Sequence, residues 1–204
     1  AAAEARPRYL KALTSLAAMY EKQGKVEQAV AAWREVIAID PKHLDALYRL
    51  GSLLQSQGKL QEALGPLQAA ILIDPAHVEA QNNLGCVHRA LGQLDQAEQC
   101  FRLAIHARGD FTEGHNNLGS VLHAKKDYEG AIACFRKAIE LHPEFAGGYS
   151  NLGAVLQSQK RFDEALVELR KSLELEPNSP ELIANLGSCL ASKGDTATAI
   201  EHLR

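Results

Sequence analysis

Apolar residues along this chain fall in short runs with helical spacing, and the runs themselves recur. Leu47, Leu50, Gly51 and Leu54 place one stripe on a first helix. Ala131, Ile132, Phe135, Ala138 and Ile139 place another on a second helix. Three series keep a common step of 34 residues. Proline stands at 7, 41, 75, 143 and 177, with Gly109 where the missing member is due. Glycine stands at 51, 85, 119, 153 and 187. Alanine stands at 29, 63, 97, 131, 165 and 199. Three residue types repeating in one phase, with no insertion, define an array of one unit. Each unit reads as a helix A and a helix B, which makes the chain all-α.

We number the unit so that the proline is position 32. Full repeats are then 10–43, 44–77, 78–111, 112–145 and 146–179, and a partial repeat covers 180–204. Residues 1–9 match positions 26–34 of an earlier repeat, so the sequence reads as a single array cut from a longer one. The phase predicts eleven near-full helices, running on to the truncated helix B of repeat six, plus a short remnant before Pro7. Helix halves at 1–9 and 192–204 lack a covering partner. Leu190, Ile200 and Leu203 are therefore expected to be partly exposed, and end-to-end association through the open ends is expected.

The punctuation between helices is physical. Gly24, Gly58, Gly92 and Gly194 stand between A and B, where a left-handed residue caps a helix. Lys126 and Lys160 take that place in repeats four and five, at a cost of roughly 1 kcal/mol each. Asp40-Pro41 and Asp74-Pro75 end helix B, because a residue before proline resists the helical region. Arg108-Gly109 weakens that stop, so the joint between repeats three and four should be the softest. Pro66 falls inside a helix B and should kink it. The glycines at position 8 and alanines at position 20 let two backbones approach. Trp33, Phe101 and Phe135, or leucine, fill the neighbouring volume at position 24.

Leu at 7, Gly or Ala at 8, Ala at 20, an aromatic or Leu at 24, Ala at 27 and Pro at 32 together resemble the tetratricopeptide repeat, over essentially the whole chain. The resemblance implies a right-handed solenoid of antiparallel helix pairs. In that family the A helices form a concave wall that binds peptides or partner proteins, through positions 2, 5, 6, 9, 12 and 13.

Position 6 reads Asn83, Asn117, Asn151 and Asn185 in four consecutive repeats, and position 5 adds Asn82 and Asn116. Asparagine is a mediocre helix former, so local stability does not select it there. Its amide can meet both the N–H and the C=O of an extended peptide. Position 9 stays small throughout, which leaves room for a ligand backbone. This asparagine ladder is similar to that of the tetratricopeptide superhelix of O-GlcNAc transferases, which implies a polypeptide-holding groove and, beyond it, a glycosyltransferase link. Pairing of the asparagines between neighbouring A helices is the other reading, and the two can coexist. Tyr48, Arg49, Arg89, His123 and Gln157 would vary the groove's chemistry. Asp45, Glu79, Glu113 and Glu181 sit in the first turn of helix A, where they complement the helix dipole. No three repeats supply the Lys and Asn set of the chaperone-binding carboxylate clamp.

Composition narrows the function classes. The formal net charge is −3, which offers no basic footprint for nucleic acid. No apolar run approaches a membrane span. Cys86, Cys100, Cys134 and Cys189 lack metal or CxxC spacing and read as free thiols, which favours a cytoplasmic setting. Eight histidines form no zinc motif, and His88 and His115 fall at core-like positions. No phosphate loop, nucleophile elbow or carboxylate pair appears, so neither a cofactor nor catalysis is expected. The expectation is a non-catalytic scaffold that binds extended polypeptide. The alternative is a self-assembly module that oligomerises through its groove or open ends.

Overall fold

The computed structural model describes residues 2–194, with side chains from Arg8 onward. Eleven α-helices and no strands occur among the described residues. They are α1 (Ala2–Lys22), α2 (Val26–Ile39), α3 (Leu44–Ser56), α4 (Leu60–Ile73), α5 (Val78–Ala90), α6 (Leu94–Ala107), α7 (Thr112–Ala124), α8 (Tyr128–Leu141), α9 (Ala146–Ser158), α10 (Phe162–Leu175) and α11 (Pro180–Lys193). Odd-numbered helices are the A members and even-numbered helices the B members. Helix B of repeat six, with Ile200 and Leu203, lies outside the described residues.

The chain divides into two compact units, Ala1–Ala107 and Arg108–Arg204. The division falls beside Gly109, where the proline series is interrupted. In the first unit α1 pairs with α2, α3 with α4 and α5 with α6. In the second, α7 pairs with α8 and α9 with α10, and α11 packs on α9 and α10.

The small residues act as their spacing predicts. A Cβ built on Gly51 would lie 2.5 Å from Leu67 Cγ, and one on Gly153 would lie 2.6 Å from Leu169 Cγ. On Gly85 and Gly119 it would meet the Phe101 and Phe135 rings at 2.7 Å. At these four positions the position-24 side chain of the paired helix occupies the space of a methyl group. Trp33, Phe101 and Phe135 are fully or almost fully buried at these crossings. The left-handed caps also form. Gly24, Gly58, Gly92 and Gly194 have φ of 69°, 73°, 75° and 97°, and Lys126 and Lys160 are held at 66° and 60°.

Three expectations change. Helix α1 runs through Pro7 without a break. Leu190 is buried, not partly exposed, because α11 carries it in the layer that packs on α9 and α10. His88 and His115 are half-buried and hold polar partners. His88 Nδ1 lies 2.6 Å from Gln93 Oε1, and His115 Nε2 lies 2.9 Å from the Gly109 carbonyl. Helix α4 contains Pro66 and still runs unbroken from Leu60 to Ile73.

One recurrent tie escaped the pattern. The position-4 side chain reaches back to the position-32 carbonyl of the preceding turn. Gln81 Nε2 donates to Pro75 O at 3.1 Å and Tyr149 Oη to Pro143 O at 3.2 Å, and His115 meets Gly109 O in the same way. Three unlike residues do the same work, so no residue-type periodicity announces it.

Candidate functional site

In the second unit the A-helix face is amide- and hydroxyl-lined. Asn151 Nδ2 on α9 donates to Asn116 Oδ1 on α7 at 2.8 Å. Asn185 Nδ2 on α11 donates to Ser150 Oγ on α9 at 3.0 Å. Position 6 of one repeat thus binds position 5 of the repeat before it. One repeat is 34 residues and position 6 lies one residue beyond position 5, so the partners stand 35 apart. His123 Nε2 lies 3.0 Å from Ser158 Oγ. Gln157 Nε2 donates to Ser192 Oγ at 3.0 Å and to Ser188 Oγ at 3.4 Å. Burial holds the His123 imidazole below its ordinary titration range.

Each pairing consumes only part of an amide. Asn151 keeps its second N–H and its Oδ1 lone pairs, and Asn116 keeps both of its N–H groups. The internal bond fixes which way each amide faces. The side chains are half-buried, and Ser120 and Ala154 beside them are small. Such a surface can exchange hydrogen bonds with a backbone.

The face of the first unit is built differently. Asn83 on α5 lies beside Tyr48 on α3, again position 6 to position 5, and favours the ionised phenol. Burial, then the Glu79 carboxylate, pushes the Tyr48 phenol above its usual range, and its ring lies 5.0 Å from that of His77. Arg49 replaces asparagine at position 6. Its Nε donates to Asp45 at 2.8 Å and its Nη1 reaches Glu21 at 3.3 Å, while the guanidinium lies 5.7 Å above the Trp33 ring. Burial opposes the Arg49 charge, but Asp45 and Glu21 hold the proton more firmly than usual. Trp33 Nε1 donates to the same Glu21 carboxylate at 3.1 Å. A hollow of about 360 Å3 lies beside this cluster, lined by Ala18, Glu21, Lys22 and Arg49. Arg89 is half-buried on α5 near Cys86, whose thiol is pushed up by burial against the pull of Arg89. Asn82 and Asn117 also have interaction partners.

Sequence spacing therefore located the position-5 and position-6 residues but not their partners. Ser188 at position 9 read only as space and accepts from Gln157, while Ser150, Ser158 and Ser192 drew no reading and also take part in these bonds. Asp45 read as a first-turn helix charge and Glu21 drew no reading, and the two fasten Arg49. Pairing between neighbouring A helices, the other reading of the asparagines, occurs where Asn151 bonds Asn116 directly.

A tetratricopeptide repeat family model matches residues 54–118 and 156–204, more than half of the chain, and a second TPR repeat model matches 17–58 and 119–160. The chain belongs to the tetratricopeptide repeat family. Among solved structures it is similar to a tetratricopeptide repeat protein from Parabacteroides merdae, with TM-score 0.84 and 17% identity over 96% of this chain and 77% of that one. It is similar to PilF of Pseudomonas aeruginosa at TM-score 0.71 and 27% identity, over 78% of this chain and 72% of that one. It is also similar to YrrB, described as a TPR protein with an unusual peptide-binding site, at TM-score 0.67 and 23% identity over 85% and 90% of the two chains. No curated protein sequence matches it significantly. No metal-holding cluster of His, Cys, Asp or Glu occurs among the described residues, and no described helix is long and apolar enough to cross a membrane.

Proposed function

We propose that this tetratricopeptide chain is a non-catalytic scaffold that binds extended polypeptide along its A helices. The carrying observation is the half-satisfied amide series of the second unit. Asn151 is pinned to Asn116 and still offers a donor and an acceptor to a backbone laid across it. A peptide main chain needs that pair of functions and nothing side-chain specific. In the first unit, Tyr48, Arg49, Asn82, Asn83 and Arg89 would add charge and aromatic contact. Asn117, Asn185, His123 and Gln157 complete the set in the second. The peptide-binding site described for the structurally similar YrrB supports this reading. A link to a glycosyltransferase rests on the sequence resemblance of the asparagine ladder alone.

The test is a random peptide library displayed on phage, followed by anisotropy titration of an enriched peptide. One hydrogen bond is worth roughly 0.5–1.5 kcal/mol, so Asn151→Ala should weaken binding by up to about tenfold. The fourfold change at 83, 117, 151 and 185 should abolish it. Failure to enrich any peptide, or an unchanged affinity in the fourfold variant, would sink the proposal.

A further inference from the structure

Four residues break the repeat at one junction, between α1 and α3, and they converge. Position 24 is Trp33, where later repeats have Leu67, Phe101, Phe135 and Leu169. Position 6 is Arg49, where the others have Ser15, Asn83, Asn117, Asn151 and Asn185. Position 12 is Glu21, the one acid at a phase shared with Gln55, Arg89, His123, Gln157 and Ala191. Position 13 is Lys22, where the others have Ser56, Ala90, Ala124, Ser158 and Ser192.

Three of the four build a fixed guanidinium. Trp33 Nε1 donates to Glu21 Oε2 at 3.1 Å, a bond that phenylalanine or leucine cannot make. Arg49 Nη1 meets Glu21 Oε1 and Oε2 at 3.3 and 3.4 Å, and its Nε donates to Asp45 at 2.8 Å. Both Glu21 oxygens are thereby engaged. Arg49 Nη2 takes no hydrogen bond among the described residues, and the Lys22 side chain has no ion-pair partner there. The hollow of about 360 Å3 at this place is lined by Ala18, Glu21, Lys22 and Arg49. Asp45 holds Arg49 through Nε and is not part of the wall. The wall therefore carries two cations against one anion. Its uncommitted groups are donors, the N–H groups of Arg49 Nη2 and the ammonium of Lys22.

We propose that this hollow receives an acidic side chain, Asp or Glu, of the polypeptide bound along the A helices. The inference rests on that reading and adds a side-chain preference to it. One carboxylate neutralises the wall's excess charge and accepts the free N–H groups in charge-assisted bonds. An aliphatic side chain would strip water from Lys22 and Arg49 with no bond in return. A cationic side chain would meet like charge from both.

Trp33 is the chain's one tryptophan, so its indole N–H gives a single NMR resonance on the Glu21 carboxylate that lines the hollow. The probes are N-acetyl-glutamate N-methylamide and its aspartate counterpart, with the glutamine analogue as control, titrated into the whole chain. The two acidic probes should shift that resonance saturably, and the glutamine analogue should not. Lys22 is exposed, so Lys22→Gln tests the hollow without loosening the core. It should weaken the acidic probes by about two- to fivefold, as loss of an exposed ion pair does. Arg49→Gln should weaken them by about tenfold or more. An equal shift from the glutamine analogue, or acidic binding indifferent to Lys22→Gln, overturns the proposal. So does tighter binding of N-acetyl-alanine, which would assign the hollow to a chain-terminal carboxylate. Peptides enriched on the chain from a phage library should carry Asp or Glu, and selection on the Lys22→Gln chain should lose that preference. Enrichment without an acidic preference overturns this inference and leaves the scaffold reading standing, while failure to enrich any peptide sinks both.

Discussion

At the scale of single residues, the position-8 glycines show how little space the helix crossings leave. A methyl group on Gly119 would enter the van der Waals shell of the Phe135 ring. Gly119→Ala should therefore destabilise the second unit by about 1–3 kcal/mol, as overpacking does, read from the urea midpoint. A neutral effect would mean that Phe135 can move aside. The same scale holds an acid response. Burial depresses the His123 imidazole, so the unfolded chain takes up a proton more readily than the folded one. Stability should fall as pH drops below the ordinary histidine range, near about 6.5, toward the lower folded value. His123→Gln should flatten that part of a melting-temperature profile, and an unchanged slope would count against the assignment. Cys100, whose burial pushes its thiol up to about 11, should react slowly with a disulfide reagent until the chain unfolds.

At the scale of helices, the caps separate members that look equivalent in sequence. His43 and His77 accept the Ala46 and Ala80 amides at 3.2 Å through Nδ1, while Phe111 and Phe145 cap nothing. His43→Ala should cost about 0.5–2 kcal/mol in chemical denaturation, and His43→Asn should restore most of it. The interrupted proline series allows a gain. Gly109 is not in the left-handed region, and no atom lies within 4 Å of a Cβ built there. Gly109→Pro should raise stability by roughly 0.4–1 kcal/mol by restricting the unfolded chain. A loss would show that its amide is needed.

At the scale of the whole molecule, two compact units each carry a buried core, centred on Trp33, Leu67 and Phe101 in one and on Phe135, Leu156 and Leu169 in the other. Stability in repeat proteins sums over local terms. Leu67→Ala should then reduce amide-exchange protection in α1 to α6 by more than in α7 to α11. Uniform loss across the chain would indicate one cooperative block.

The sequence by itself determined the period, the helix pairs, the steric role of glycine at position 8 and the left-handed caps, lysines included. These depend on contacts within one repeat, and a fixed period writes such contacts into residue type. Only the tertiary structure decided that Asn151 holds Asn116, that Asn185 holds Ser150 and that Arg49 is fastened by Glu21 and Asp45 over Trp33. Those partners sit on different helices and differ in type from repeat to repeat. What selects them is the distance and angle between stacked helices, which residue spacing along the chain does not carry.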